Sequence, residues 1–372
     1  MNCLFEIPCL LGLEKVVADE LKKLKLAEVR AENGRVLCRG GLADIPRLNL
    51  NLRCGARVLL VLARFRAVSF EELFQGTKAV AWQDWIPQGW EFPVTGYSIN
   101  SQLHSVPACQ SIVKKAVSQK LGEVYHTQWL NEDGPRCQIR FSIFKDQVDL
   151  CLDTSGQGLY KRGYRAVNNG APLRETLAAA LVLLSGYKGF DPFCDPFCGS
   201  GTIPIEAALI ARNRAPGLNR SFDAQRWTTL GSKMWMNAVE EALDKEYHRS
   251  YDIWGGDIDP RCVELSRANA EKAEVEDTVR FEQYDARRFY STSDYGRLVT
   301  NPPYGERMMD QKEVAELYRA FGHSVRLLPP FWRVSILSSH TEFEELFGQR
   351  ARKKRKLYNG MMKCDLFQYG KV

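Results

Sequence analysis

No apolar run in the 372 residues is long enough to cross a bilayer, which excludes a membrane-spanning helix. None of the eleven cysteines forms a Cys-x-x-Cys pair, which argues against a zinc ribbon or a thioredoxin-like centre. Cys194 and Cys198 are spaced Cys-x-x-x-Cys, but without further ordered ligands no metal is expected. The thiols therefore read as reduced groups of a cytosolic protein. A secretory leader is also missing: Glu6 interrupts the first apolar stretch and a charged segment follows, so a cytoplasmic location is expected. Neither charge dominates. Lys and Arg total 51 against 45 Asp and Glu, and the net +6 is compatible with a polyanionic partner without identifying one. There is no internal repeat or low-complexity tract. The 45% hydrophobic content is ample for the cores of two or three domains.

A further absence lies in the glycine loop at 195–202, Asp-Pro-Phe-Cys-Gly-Ser-Gly-Thr. A short apolar run precedes it, and residues 203–210 read as a helix. Strand, glycine loop and helix form the nucleotide cradle of an open α/β sheet. The third glycine of a dinucleotide fingerprint and the lysine of a P-loop are both missing, so a cofactor without phosphate fits better. Gly199 and Gly201 let the backbone approach a ligand, and Asp195 is placed to hold a methionine amino group. Downstream, residues 252–259 end an apolar strand in acids; Asp257, the first after the strand, is preferred over Asp259 for two ribose hydroxyls. Asp285 ends the next strand and can accept from an adenine amine. Asp195, Phe197, Cys198, Gly199, Ser200, Gly201, Thr202, Asp257, Asp285 and Asn301 thus form an ordered series consistent with S-adenosylmethionine.

Asn301-Pro302-Pro303-Tyr304 follows the apolar run Leu298-Val299-Thr300. An exocyclic amine of a nucleobase is a poor nucleophile, because its lone pair is delocalised into the ring. The Asn301 side-chain oxygen and the Pro302 carbonyl can accept both amine hydrogens and favour the pyramidal, nucleophilic form. Pro302 and Pro303 stiffen the loop, and Tyr304 can stack on the base. The series predicts methyl transfer to such an amine.

Elsewhere periodicity predicts helices over 13–24, 43–53 and 70–85, and one from Ser105 with Pro107 in its first turn. Hairpins are expected around Asn33-Gly34 and around Asp146-Gln147. Residues 154–158 read as a solvated linker. Lys114, Lys115 and Lys120 on the outer face of one helix, and Lys161, Arg162 and Arg165 after the linker, are candidate RNA phosphate contacts. Residues 212–250 look like an inserted helical segment with Trp227 and Trp235 as packing anchors. The basic residues of 350–356 precede Asn359-Gly360 and should lie in a terminal hairpin that closes the sheet in antiparallel fashion.

The strings Lys161-Arg162-Gly163-Tyr164-Arg165, 171–179, 195–202 and 301–307 resemble those of THUMP-domain RNA methyltransferases. Ser98-Ile99-Asn100-Ser101-Gln102-Leu103 and Leu357-Tyr358-Asn359-Gly360 extend the resemblance over nearly the whole chain. It is closest to the guanine-N2 methylating half of the bacterial 23S ribosomal RNA enzyme. Such enzymes can carry a second, fused half, and this sequence stops before one. The resemblance implies an α/β fold in three parts: a ferredoxin-like α+β unit over 1–54, a THUMP RNA-binding domain over 55–155, and a Rossmann-like S-adenosylmethionine methyltransferase domain over 156–372 with a terminal antiparallel hairpin. It further implies 23S ribosomal RNA as partner and guanine N2 as target. Adenine N6 on DNA or RNA shares the same active-site logic. An RNA-binding assembly protein with an inactive methyltransferase fold has no evident need for both Asp195 and an intact Asn-Pro-Pro-Tyr loop.

Overall fold

The computed structural model describes residues 2–165, 173–304 and 311–370. Ala171 and Pro172 of one motif, and residues 305–307 of another, lie outside the described residues.

The N-terminal part begins with β1 (Cys3–Pro8), α1 (Glu14–Lys23), β2 (Ala27–Glu32), β3 (Arg35–Gly40), α2 (Asp44–Asn51) and β4 (Leu59–Arg66). These strands pair in the order β2-β3-β1-β4, all antiparallel, which is the ferredoxin-like arrangement. The chain continues through α3 (Phe70–Lys78), β5 (Val94–Ile99), α4 (Val106–Tyr125), β6 (Ile139–Phe144) and β7 (Gln147–Asp153). Because β4 also pairs with β7, one seven-stranded sheet runs across both units. Phe5, Leu60, Leu152, Ile139 and Val94 are register partners from strand to strand. All five are buried, so one face of the sheet carries a common core.

Several local expectations shift. The helix expected over 70–85 ends at Lys78, after a Ser69–Glu72 capping box starts it, and a 3₁₀ turn (Trp82–Asp84) follows. There the Trp82 indole donates to the Thr77 carbonyl at 2.8 Å. Ser105 holds the N-cap position of α4 without a side-chain cap bond. The second hairpin turns on Lys145-Asp146, both at positive φ, rather than on Asp146-Gln147.

The C-terminal part contains α5 (Glu175–Leu184), β8 (Phe193–Asp195), α6 (Thr202–Ala211), α7 (Gly231–Asp244), β9 (Ile253–Asp257), α8 (Pro260–Lys272), β10 (Val279–Gln283), β11 (Tyr295–Thr300), α9 (Gln311–Arg326), β12 (Phe331–Ser338), α10 (Phe343–Phe347), β13 (Lys353–Asn359) and β14 (Met362–Tyr369). Its sheet runs β10-β9-β8-β11-β12-β14-β13. The first five strands are parallel, and β13 and β14 close it in antiparallel fashion. Helices α5 and α6 are apolar nearly all round, as helices buried on every side must be. Trp227 and Trp235 are buried, so the inserted segment is anchored by them. The strand order reverses between β8 and β11, which opens a crevice at the carboxyl ends of those two strands.

The segment expected as a solvated linker is interior. Thr154 and Ser155 are fully buried and hydrogen-bond the Asn49 side chain at 2.8 and 2.6 Å. Arg220 of the inserted segment donates to the carbonyls of Gln157, Gly158 and Lys161. The basic run forms edge strand β13, where Arg355 reaches the Gly12 carbonyl and Lys354 pairs with Glu344. No helix among the described residues is long and apolar enough to cross a membrane.

Candidate active site

Asp195 ends β8, Asp257 ends β9 and Asn301 follows β11, so the reversal of strand order gathers all three at one edge of the sheet. Asp195 is 1% exposed. One carboxyl oxygen accepts from the Thr300 hydroxyl at 2.5 Å and from the Phe197 amide at 3.0 Å. It has no ion-pair partner among the described residues. Burial pushes its carboxyl up to about 7, against those two hydrogen bonds and with Asp257 adding to the rise. Between the ordinary value of 3.8 and about 7, the folded chain holds a proton that the unfolded chain has lost. The stability owed to neutral Asp195 is therefore lost as pH rises through that window.

The glycine loop is tied down from both sides. The Gly199 amide donates to Asp257 at 3.0 Å, and the Cys198 amide to the Gly256 carbonyl at 2.9 Å. Ser266 and Asn269 of α8 donate to the Gly199 and Ser200 carbonyls, both at 2.9 Å. The two glycines serve different ends. At Gly201 a β-carbon would press on Ser266 and Phe281 at 2.9 and 3.0 Å, so that glycine permits helix–sheet packing. At Gly199, with φ of +54°, a β-carbon would meet nothing within 4 Å, so the backbone there faces open space. Thr202 and Ser200 hydroxyls contact each other at 3.2 Å, and Arg165 donates to Thr202 at 2.9 Å.

Asp257 also accepts the Asp259 amide at 3.0 Å, and burial raises its carboxyl. Asp259 instead caps α8 and pairs with Arg261. Asp285 caps the 3₁₀ turn Ala286–Arg288, and Arg287 engages both of its oxygens at 2.9 and 2.7 Å. Asp285 lies two residues beyond the end of β10 rather than at it, and its carboxylate is paired rather than open. Cys194 and Cys198 are buried, and burial pushes both thiols up. No cluster of three metal-ligating side chains occurs among the described residues.

In the Asn301–Tyr304 loop, Tyr318 of α9 donates to the Pro303 carbonyl at 2.7 Å. The Tyr304 hydroxyl donates to the Asn301 side-chain oxygen, and burial beside Cys364 raises its phenol. This differs from the expected stacking platform. In this conformation the Tyr304 hydroxyl occupies the Asn301 side-chain oxygen, and the residue is half-buried.

The cationic residues divide sharply. Arg162 is 2% exposed. It pairs with the buried Glu206 of α6 at 3.3 Å and donates to the carbonyls of Leu52, Arg53 and Leu159. It is an internal tie, not a phosphate contact. Arg165 is likewise engaged, by Glu175, Leu173 and Thr202. Lys114 pairs with Glu132 and lies 3.4 Å over the Phe92 ring. Lys115, Lys120 and Lys161 remain open to solvent to differing degrees. Thr300, Ser266, Asn269 and Tyr318 were not legible as site residues. Ser266 and Asn269 share one face of α8, but nothing in the sequence says that this face meets the glycine loop.

Comparison with known proteins adds three family matches: the RMKL-like methyltransferase domain over 162–368, the ferredoxin-like domain of the same group over 5–59, and the THUMP domain over 67–153. The chain is 44% identical over 364 residues to YpsC of Bacillus subtilis (strain 168), described as a candidate RNA methyltransferase; the match covers 96% of this chain and 94% of YpsC. It is 32% identical to the ribosomal RNA large subunit methyltransferase K/L of Syntrophotalea carbinolica, over 96% of this chain but only 52% of that protein. This chain therefore spans about half the length of that relative. Among solved structures, the candidate methyltransferase SMU.472, complexed with SAH, superposes with a TM-score of 0.93 at 42% identity, covering 100% of this chain and 99% of that one.

Proposed function

We propose, from the premise that this chain belongs to the RMKL-like methyltransferase family, that it methylates guanine N2 in ribosomal RNA. At the coarser level the chain is an S-adenosylmethionine-dependent RNA methyltransferase. The observation that supports methylation of an exocyclic amine is the junction of Asp195 and Asn301 across the β8–β11 reversal, while guanine N2 over adenine N6 rests on the family resemblance of the sequence. That junction sets a cofactor-holding acid beside an amine acceptor.

The donor set suits the cofactor. A buried carboxylate without an ion-pair partner, a second acid at the next strand end, and an open backbone at Gly199 match an ammonium, ribose hydroxyls and an uncharged nucleoside. When bound, S-adenosylmethionine supplies a methyl group on a sulfonium, an electrophile that a neutral amine can attack. Asp195 would hold the amino group and Asp257 the ribose. Asn301 would accept from the amine, while Pro302 and Pro303 keep the loop rigid. An adenine contact by Asp285 requires its pairing with Arg287 to loosen. The divisions 1–54, 55–155 and 156–372, Lys115, Lys120 and Lys161 as RNA contacts, and a cytoplasmic location belong to the same proposal. The family matches over 5–59, 67–153 and 162–368 support the divisions.

Three measurements test it. Nucleoside mass spectrometry of 23S RNA incubated with the protein should show N2-methylguanosine. N6-methyladenosine instead would shift the reading to the adenine alternative, and neither product would end it. Asp257→Ala should weaken cofactor binding by calorimetry at least tenfold more than Asp259→Ala, since Asp259 is spent on its helix cap and Arg261. Cofactor affinity should rise as pH increases from about 6 to about 7.5, because the ammonium binds ionised Asp195. Asp195→Asn should lower that affinity and flatten its dependence on pH.

A further inference from the structure

At the amino-terminal ends of the catalytic strands, across the sheet from the active site, lies a second cleft of about 220 Å³ lined by Gly186, Lys188, Phe190, Asp191, Arg297 and Arg333. Arg297 and Arg333 are direct register partners in β11 and β12. Their Nη1 atoms lie 3.3 and 3.8 Å from where a β-carbon on Gly186 would sit, so the two guanidinium groups converge on one spot. Arg297 is buried and engaged, donating from Nε to Asp191 at 2.6 Å and from Nη1 to the Ser185 carbonyl. Arg333 is half-buried with no hydrogen bond or ion pair among the described residues, and Lys188 is exposed and equally unpaired. A converging pair of like charges, one of them partly desolvated and unpartnered, is costly to hold unless an anion joins them. The rim is aromatic. Phe190 is 74% exposed. Tyr295 and Phe331, themselves register partners and exposed, precede the two arginines on the same face of their strands.

Planar guanidinium groups suit phosphate oxygens, and exposed rings suit unpaired bases; together they are the physics of single-stranded nucleic-acid binding. We infer that this cleft is an accessory site for a single-stranded segment of the RNA substrate. Arg333 and Lys188 hold a phosphodiester, with Arg297 behind them held by Asp191 and Ser185, and Phe190 stacks on the adjacent base. The inference rests on the RNA reading above and extends it to the opposite edge of the sheet. A long RNA is then gripped on two sides of the methyltransferase domain, and its target base is presented at Asn301 from one side only.

The test is fluorescence anisotropy of a labelled single-stranded oligoribonucleotide against the full chain at several salt concentrations. Lys188→Glu/Arg333→Glu should weaken binding at least tenfold. It should also make the dependence of log K on log salt shallower by about 0.7, the amount for one phosphate no longer neutralised on a single strand. Phe190→Ala should weaken binding at least fivefold with the salt dependence unchanged. Lys233→Glu/Lys272→Glu, a matched pair of charge reversals at exposed positions elsewhere, should do much less. Calorimetry with S-adenosylhomocysteine should give wild-type affinity in every variant, showing that the fold is intact. The site is overturned if the cleft variants bind RNA no more weakly than the Lys233/Lys272 control. It is also overturned if AMP binds in a Phe190-dependent way while RNA affinity is unchanged, which would make the cleft a small-nucleotide site. A wild-type protein that binds no RNA would overturn both this inference and the RNA reading. Wild-type RNA binding and methylation with indifferent cleft variants would overturn this inference alone.

Discussion

Asn301→Ala is expected to lower methylation turnover by on the order of 10²–10³-fold, the range seen when one fixed polar group facing the reacting centre is removed. The Asn301 oxygen is held at the end of β11, on a loop stiffened by two prolines and pinned from below by Tyr318. Its position beside Asp195 is set by the sheet and does not depend on the bound base. The variant should therefore lose rate far more than cofactor affinity, since the acids that would hold the cofactor stand on β8 and β9. Single-turnover methylation and calorimetry on the same preparation measure the two quantities. Turnover within a few-fold of wild type would remove Asn301 from the chemistry. Tyr304→Phe provides a contrast. It deletes the hydroxyl that now occupies the Asn301 oxygen while keeping the ring, so KM should fall or hold with little loss of kcat.

Arg162→Met is expected to destabilise the chain by about 3–5 kcal/mol, the cost of leaving one partner of a buried ion pair uncompensated. Glu206 is wholly buried on the first helix after the glycine loop. Arg162 is its ion-pair partner and also satisfies three carbonyls around the join between the N-terminal unit and the catalytic domain. The loss should appear as a lower urea midpoint by tryptophan fluorescence. Arg162→Met/Glu206→Gln should recover part of it, because the stranded carboxylate is then neutral. A phosphate-contacting Arg162 would give the opposite pattern, with weaker RNA binding and an unchanged midpoint. The same interface bears on domain excision. Removing residues 1–155 would take Arg53 from the Leu209 and Arg214 carbonyls and leave buried Arg162 without the Leu52 and Arg53 carbonyls. Cofactor binding by such a fragment would not be a clean test of the RNA platform.

Asp195 and Asp257, acids proposed for the cofactor, were readable because each ends an apolar strand, and the end of a strand is a local pattern. The preference for Asp257 over Asp259 likewise followed from order along the chain, and the helix cap made by Asp259 now gives it a physical cause. The basic segments were misread for a related reason. Lys161-Arg162-Gly163-Tyr164-Arg165 has the composition of a solvated cationic linker, and composition does not reveal that Glu206 and Glu175 wait in the core to pair with its arginines. Lys114 similarly appears solvated on a helical wheel, yet Glu132, eighteen residues on, folds back onto it.

By itself the sequence determined the strands, the glycine loop, the acids at the strand ends and the Asn-Pro-Pro-Tyr loop, and hence the class of chemistry. These depend on backbone preference and hydrophobic period, which act within a few residues. Only the tertiary structure decided which charges are free. That depends on partners brought together across long stretches of chain, such as Arg35 with Asp149 or Arg162 with Glu206. It also decided that Arg297 and Arg333 stand side by side, because parallel register is set by how two distant strands pack and not by either strand alone.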